Sequence, residues 1–167
     1  WDNPAIEVKE GLIEEIVGLF KDTNIPVLIN NRWEYLKKYD LDGVHFDVLP
    51  INLEKINKEV GKEFIKGITL TNNLKNLSVI EYLCFDYVSF CSIFPSSTSN
   101  SCELVDFKNI QACREKSNLY IFLSGGIKPE NLNQLRHLNY DGVAIVSGIM
   151  KASDPEKAIE EYINELN

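Results

Sequence analysis

Six short apolar runs, each followed by a stretch of helical spacing, constrain this 167-residue chain more than any other feature. They lie at 25–30, 42–48, 64–70, 85–94, 119–124 and 141–147. Runs this short and this apolar read as strands buried on both faces. Between them, sets such as Leu53, Ile56 and Val60, or Leu104, Phe107, Ile110 and Cys113, recur at helical spacing. Strands and helices alternating at about 20 to 30 residues imply parallel strands with crossover helices. The choices are an open doubly wound sheet or a closed (β/α) barrel. The repeated Asp42-Gly-Val and Asp141-Gly-Val, with the related Asp86-Tyr-Val, favour equivalent units and hence the barrel. Six units are too few for eight strands, and the missing ones are expected on the N-terminal side.

The last two runs end in a distinctive way. Leu119-Tyr-Ile-Phe-Leu-Ser-Gly-Gly-Ile-Lys-Pro places Gly125 and Gly126 at a strand end, with Pro129 at the first turn of a helix. One unit later, Asp141-Gly-Val-Ala-Ile-Val-Ser-Gly sets Ser147 and Gly148 at the next strand end. Glycines leave backbone N–H groups open to close approach. Two such mouths with helix starts behind them suit an anion, and adjacent βα loops of a barrel commonly hold a phosphate. The plain alternative is a tight glycine turn. The pairing of two mouths favours the phosphate.

A net charge of −8 argues against an electrostatic grip on nucleic acid or anionic membrane. An anionic ligand must therefore be small and held by local donors. No apolar run approaches the roughly 18 residues of a membrane span, and the first residues do not read as a signal peptide. Cys84, Cys91, Cys102 and Cys113 lack CxxC spacing and have only two histidines for company, so a zinc site is not expected. They read as reduced thiols of a cytoplasmic protein, although the sequence does not settle disulfide pairing.

Asn3-Pro4 reads as a cap and first turn for an amphipathic helix reaching Phe20, and Asp154-Pro155 as the same signal for a last helix reaching Leu166. The polar stretch Pro95-Ser-Ser-Thr-Ser-Asn-Ser101 suits an ordered or closing active-site loop better than a linker. On the strand 44–48, alternation sends Val44, Phe46 and Val48 one way and His45 and Asp47 the other. His45 then reads as a satisfied interior histidine and His137 as a surface residue on a helix. Cys91 reads as a packing thiol, with no base apparent beside it.

Ile29-Asn-Asn-Arg32, Asp42-Gly-Val-His45, Gly67-Ile-Thr69, Asp86-Tyr-Val-Ser-Phe, Ile93-Phe-Pro95, Gly125-Gly-Ile…Asn131 and Gly142-Val-Ala-Ile-Val-Ser147 occur in an order that resembles the thiamine phosphate synthases. The related thiazole tautomerases share much of that order. The resemblance covers nearly the whole chain. It implies a TIM (β/α)8 barrel of which this chain holds strands three to eight, so that residues 1–167 form one N-terminally incomplete domain. It also implies a transferase joining an aminopyrimidine methyl diphosphate to a thiazole phosphate with release of pyrophosphate. Mg²⁺ is the implied cofactor and small phosphorylated molecules are the substrates. Exposed barrel helices commonly pair, so a homodimer is among the assemblies to expect.

Carried over by position, Gly126 matches the glycine at the thiazole phosphate, and Ile127, Val146 and Ser147 match the neighbouring phosphate motif. Gly125 and Gly148 join them from the strand-end reading above. Asn30 matches an asparagine of the Ile-Asn-Asp motif, Thr69 stands for a serine, and Ser96 and Thr98 match the hydroxyls of the Phe-Pro-Thr-x-Thr-Lys loop. These four are the candidate catalytic contacts. Three positions depart from the pattern. Asn31 replaces the metal-binding aspartate, Pro50 falls where a second is expected, and Ser99 falls on the loop lysine. With Asn31, Asp47 is the candidate carboxylate for a displaced metal; the bland reading bonds it to nearby backbone or to Arg32. Ser92 falls where the tautomerases carry a histidine, which ranks thiazole tautomerisation second. A third reading is a phosphate-ligand binder that has lost its metal site.

Overall fold

In a computed structural model of the chain, described over residues 10–96 and 103–166, the fold is α/β with six parallel strands. The chain divides into two compact units. Residues up to 69 together with 82–86 form the first, and residues 70–81 together with those from 87 onward form the second.

The first unit carries helix α1 (Glu10–Phe20), β1 (Leu28–Asn30), a 3-10 helix (Trp33–Lys37), β2 (Gly43–Phe46), helix α2 (Leu53–Val60) and β3 (Ile65–Leu70, its last residue counted with the second unit). β1 pairs with β2 and β2 with β3, all parallel, with Asn30 opposite His45 and His45 opposite Gly67. Val44, Phe46, Leu53, Ile56 and Ile68 are buried in its core. Asn52 caps α2 by accepting the Lys55 N–H at 2.9 Å, and Gly61 ends it in the left-handed region at φ 68°.

The second unit carries helix α3 (Leu77–Tyr82), which runs into the first unit's 82–86 segment, β4 (Tyr87–Cys91) and helix α4 (Phe107–Lys116). β5 (Tyr120–Ser124), a 3-10 helix (Pro129–Leu135), β6 (Gly142–Ala144), helix α5 (Ser147–Met150) and helix α6 (Pro155–Leu166) complete it. β4 pairs with β5 and β5 with β6, again parallel. Val88, Phe90, Ile121 and Leu123 bury one face together with Ile110, Cys113, Leu132 and Leu135. Asp154 caps α6 through the Lys157 N–H at 3.1 Å, with Pro155 at the first position, as the sequence predicts.

The aspartates that open the repeated motif all act alike. Asp42 donates its N–H to the Val27 carbonyl and accepts the Val27 N–H on Oδ2 at 2.7 Å. Asp86 brackets Lys66, and Asp141 brackets Ile121, in the same two-bond pattern. Each aspartate thus locks the register of the preceding strand from the foot of its own. The repeat in the sequence is a repeated backbone clamp.

Several elements are shorter or differ in type. Ile25 is exposed and β1 begins only at Leu28, because Pro26 lacks the N–H a ladder needs. β1 and β6 are edge strands of their units' sheets and are only partly buried, which corrects the expectation of burial on both faces. The turn after Gly126 leads into a 3-10 helix, not an α-helix. His137 lies in the turn beyond it, exposed, with its ring 6.0 Å from that of Phe107. Asn3 and Pro4 lie outside the described residues.

Candidate functional site

Two groups of predicted residues come together, one in each unit. In the first unit they cluster at the C-terminal ends of the strands. Asn30, His45 and Gly67 are in register, and Thr69, two residues beyond Gly67, shares their face. His45 Nε2 lies 2.9 Å from Thr69 Oγ1, a contact that sequence reasoning missed because it joins residues 24 apart. Burial lowers the His45 pKa below its usual 6.5, and the Asp47 carboxylate pulls it partly back. The neutral imidazole therefore dominates at neutral pH and orients the threonine hydroxyl.

Asp47 follows directly after β2 and is held by both asparagines. Its Oδ2 accepts from Asn31 Nδ2 at 2.7 Å and from Asn30 Nδ2 at 3.3 Å. Its own N–H donates to Asn31 Oδ1 at 2.9 Å. Asn31 reaches back this way because its backbone sits at φ 56°, a region asparagine tolerates. The arrangement does not fit Mg²⁺, which is held through one or two available carboxylates while waters and substrate phosphates complete its octahedron. The one carboxylate has an oxygen occupied by amides, and the Asn31 oxygen is spent on a backbone N–H. Among the described residues, no group of three or more His, Cys, Asp or Glu stands where it could hold a metal.

In the second unit the residues around Gly125 and Gly126 build a cradle of backbone. The Gly125 carbonyl accepts the Phe94 N–H at 3.0 Å, the Gly126 carbonyl accepts Asn131 Nδ2 at 3.0 Å, and the Ile127 carbonyl accepts the Tyr162 hydroxyl at 3.0 Å. In a planar trans peptide the N–H points opposite to the preceding carbonyl. Pinning the carbonyls of 125 and 126 therefore turns the N–H groups of Gly126 and Ile127 away from those partners. Neither N–H donates to a protein acceptor among the described residues. Successive free N–H groups in a tight turn form a concavity that suits an anion.

The glycines serve a purpose beyond the one expected of them. Gly125 and Gly126 sit at φ 88° and 68°. A Cβ on Gly125 would stand 2.2 Å from Ser92 Oγ, and one on Gly126 would stand 2.5 Å from the Phe94 carbonyl oxygen. The close approach on that side is made by the protein's own chain. Ser92 itself is buried and donates to the Phe94 carbonyl at 2.8 Å.

Ser147 opens the four-residue helix α5, and Val146 before it is well exposed. Helix α5 is too short to add an anion site of its own. Gly148 adjoins the cradle through Tyr162, since a Cβ on Gly148 would stand 2.0 Å from the Tyr162 hydroxyl oxygen. Ser96 is half-buried, and Thr98 lies outside the described residues. Cys84 and Cys113 are free thiols, and burial pushes the Cys113 pKa up to about 11, leaving it a packing group. Cys102 lies outside the described residues. Among the described residues, no helix is long and apolar enough to cross a membrane.

A family model for thiamine monophosphate synthase matches residues 7–149. The chain is 26% identical over 164 residues to the thiamine-phosphate synthase of Methanobrevibacter smithii, covering 98% of this chain and 74% of that protein. It is 30% identical over 142 residues to that of Clostridioides difficile, covering 85% and 67%. The solved structure of a thiamine phosphate pyrophosphorylase from Pyrococcus furiosus superposes with a TM-score of 0.80 at 21% identity, over 96% of this chain and 78% of that one.

Proposed function

This chain belongs to the thiamine monophosphate synthase family, and from that membership we propose that it joins an aminopyrimidine methyl diphosphate to a thiazole phosphate in thiamine biosynthesis. The C–O bond to the diphosphate breaks, the lone pair of the thiazole nitrogen forms the new C–N bond, and pyrophosphate leaves. Such a reaction draws its rate from positioning and from stabilising the departing charge. The observation that carries the assignment to this chain is the cradle at 125–127, where two consecutive N–H groups have no protein acceptor among the described residues and the carbonyls preceding them are pinned. It is read as the seat of the thiazole phosphate, with Val146, Ser147 and Gly148 at its flank. Asn30, Thr69, Ser96 and Thr98 are read as contacts to the reacting groups.

The remaining family expectations belong to the same proposal. The six strands are read as strands three to eight of an eight-stranded barrel. The unbroken family match across both units supports one domain. The free thiols of Cys84 and Cys113 suit a cytoplasmic setting, and a pair of copies is the assembly to look for by sedimentation. Running the transfer assay with chelator and with added Mg²⁺ measures whether the reaction needs the ion. The buried Ser92, already bonded to a carbonyl, offers no proton shuttle and so disfavours the tautomerase reading. The Asn31–Asp47 clasp gives specific support to the third reading, a phosphate-ligand binder without turnover.

Incubating the protein with both substrates and following thiamine phosphate and pyrophosphate decides among these. Formation of both products in equal amounts supports the transferase. Thermal stabilisation by thiazole phosphate with no product supports the binder. Isomerised thiazole without any diphosphate substrate would restore the tautomerase.

A further inference from the structure

The Tyr162 hydroxyl reaches the Ile127 carbonyl from α6, a helix beyond the last motif of the family resemblance. Its path crosses the spot where any side chain at 148 would begin, 2.0 Å from the hydroxyl oxygen. The ring is buried, so this bond is shielded from competing water. The adjoining peptides are fixed as well: Asn131 donates to the Gly126 carbonyl and accepts the Lys128 N–H at 2.9 Å. Asn131 thus fixes the peptide that carries the Ile127 N–H, while Asn131 and Tyr162 together fix the next one, so that both peptide planes about Ile127 are set.

We propose that Tyr162 is a positioning residue for the anion cradle, and that Gly148 is glycine because the hydroxyl must pass through that space. The proposal rests on reading 125–127 as a phosphate seat. It adds that the C-terminal helix sets the affinity of that seat without touching the ligand. Burial raises the Tyr162 pKa, with Glu130 pushing the same way, so the hydroxyl stays protonated and donating throughout the working range. Losing the hydroxyl leaves the Ile127 carbonyl short of a buried partner, so the 127–128 peptide keeps only the Asn131 bond to the Lys128 N–H and the turn beside the cradle loosens.

The test uses ¹⁵N-labelled protein titrated with inorganic phosphate, alongside steady-state kinetics of the Tyr162→Phe variant. In wild type, the Gly126 and Ile127 amide resonances are expected to shift saturably. In Tyr162→Phe they should need about 5- to 10-fold more phosphate, with a matching rise in KM for thiazole phosphate and an unchanged KM for the pyrimidine substrate. A merely structural tyrosine would move both KM values or neither. If wild type itself shows no shift, the phosphate seat is wrong and this proposal goes with it. If both proteins titrate alike, the seat stands and the role of Tyr162 is overturned. Should Tyr162→Phe lose its fold by circular dichroism, hydrogen exchange of the wild type decides. Phosphate must then slow exchange on α6 around Tyr162 but not on α4, and an unaltered α6 overturns the inference.

Discussion

Asn31 holds Asp47 by both ends, its amide nitrogen on the carboxylate at 2.7 Å and its amide oxygen on the Asp47 backbone N–H at 2.9 Å. An aspartate at 31 could accept that N–H, but it would set a second negative charge against the Asp47 carboxylate. The asparagine thus replaces a charge repulsion that a cation would otherwise have to neutralise.

Asn31→Asp should therefore lower stability in chelator by about 1 kcal/mol, near the low end for such losses because the pair is solvent-accessible. Added Mg²⁺ should raise the melting temperature of this variant and leave wild type unmoved. A saturable Mg²⁺ effect on wild type would mean that the clasp opens to hold the ion.

His45 makes stability depend on pH. Its folded pKa lies below the unfolded 6.5, chiefly through burial, so the unfolded chain binds the extra proton first. Its contribution is complete above 6.5 and is lost as pH falls from there toward the folded value. His45→Gln should flatten that acid limb in denaturant titrations. Asp47→Asn, by removing the carboxylate that raises the pKa, should move the His45 NMR titration to still lower pH. A titration at or above 6.5 in wild type would contradict the burial.

Gly126 and Gly61 share a φ of 68° and differ in surroundings. Nothing lies within 4 Å of a Cβ built on Gly61, whereas one on Gly126 meets two backbone carbonyl oxygens, at 2.5 and 2.6 Å. Gly61→Ala should cost about 1 kcal/mol, the strain of the left-handed region alone. Gly126→Ala should cost roughly 1–3 kcal/mol more, because backbone must shift. Loss of activity in Gly126→Ala is evidence about the phosphate only if the fold survives, so the two variants belong side by side in one denaturation experiment.

The aspartate clamps predict a graded series. Asp86→Asn keeps an acceptor for the Lys66 N–H and should cost under about 1 kcal/mol, while Asp86→Ala leaves that N–H without its partner and should cost about 1–3 kcal/mol. Asp141 also pairs with Arg114, which donates to the Leu119 and Asn139 carbonyls as well. Asp141→Asn should therefore cost more than Asp86→Asn, and equal losses in chemical denaturation would argue against a role for the ion pair.

Periodicity and local chemistry made much of this protein legible from its residues alone. The alternation of strands and helices, the cap at Asp154-Pro155, the glycine turn at 125–126 and the outward burial of Val44 and Phe46 all follow from neighbours in the chain, where spacing dictates which side chains share a face. The order of the motifs likewise pointed to the family that the comparisons show. What tertiary structure decided were the partnerships between distant residues. His45 with Thr69, Asp47 with Asn31, Ser92 against Gly125, and Tyr162 through the gap at Gly148 to Ile127 each join different elements. A hydrogen bond needs two atoms within about 3 Å and aligned, and no local pattern carries the coordinates of the second atom. The residues of the cradle could be named from the chain, but which way its N–H groups point was settled by what grips the carbonyls behind them.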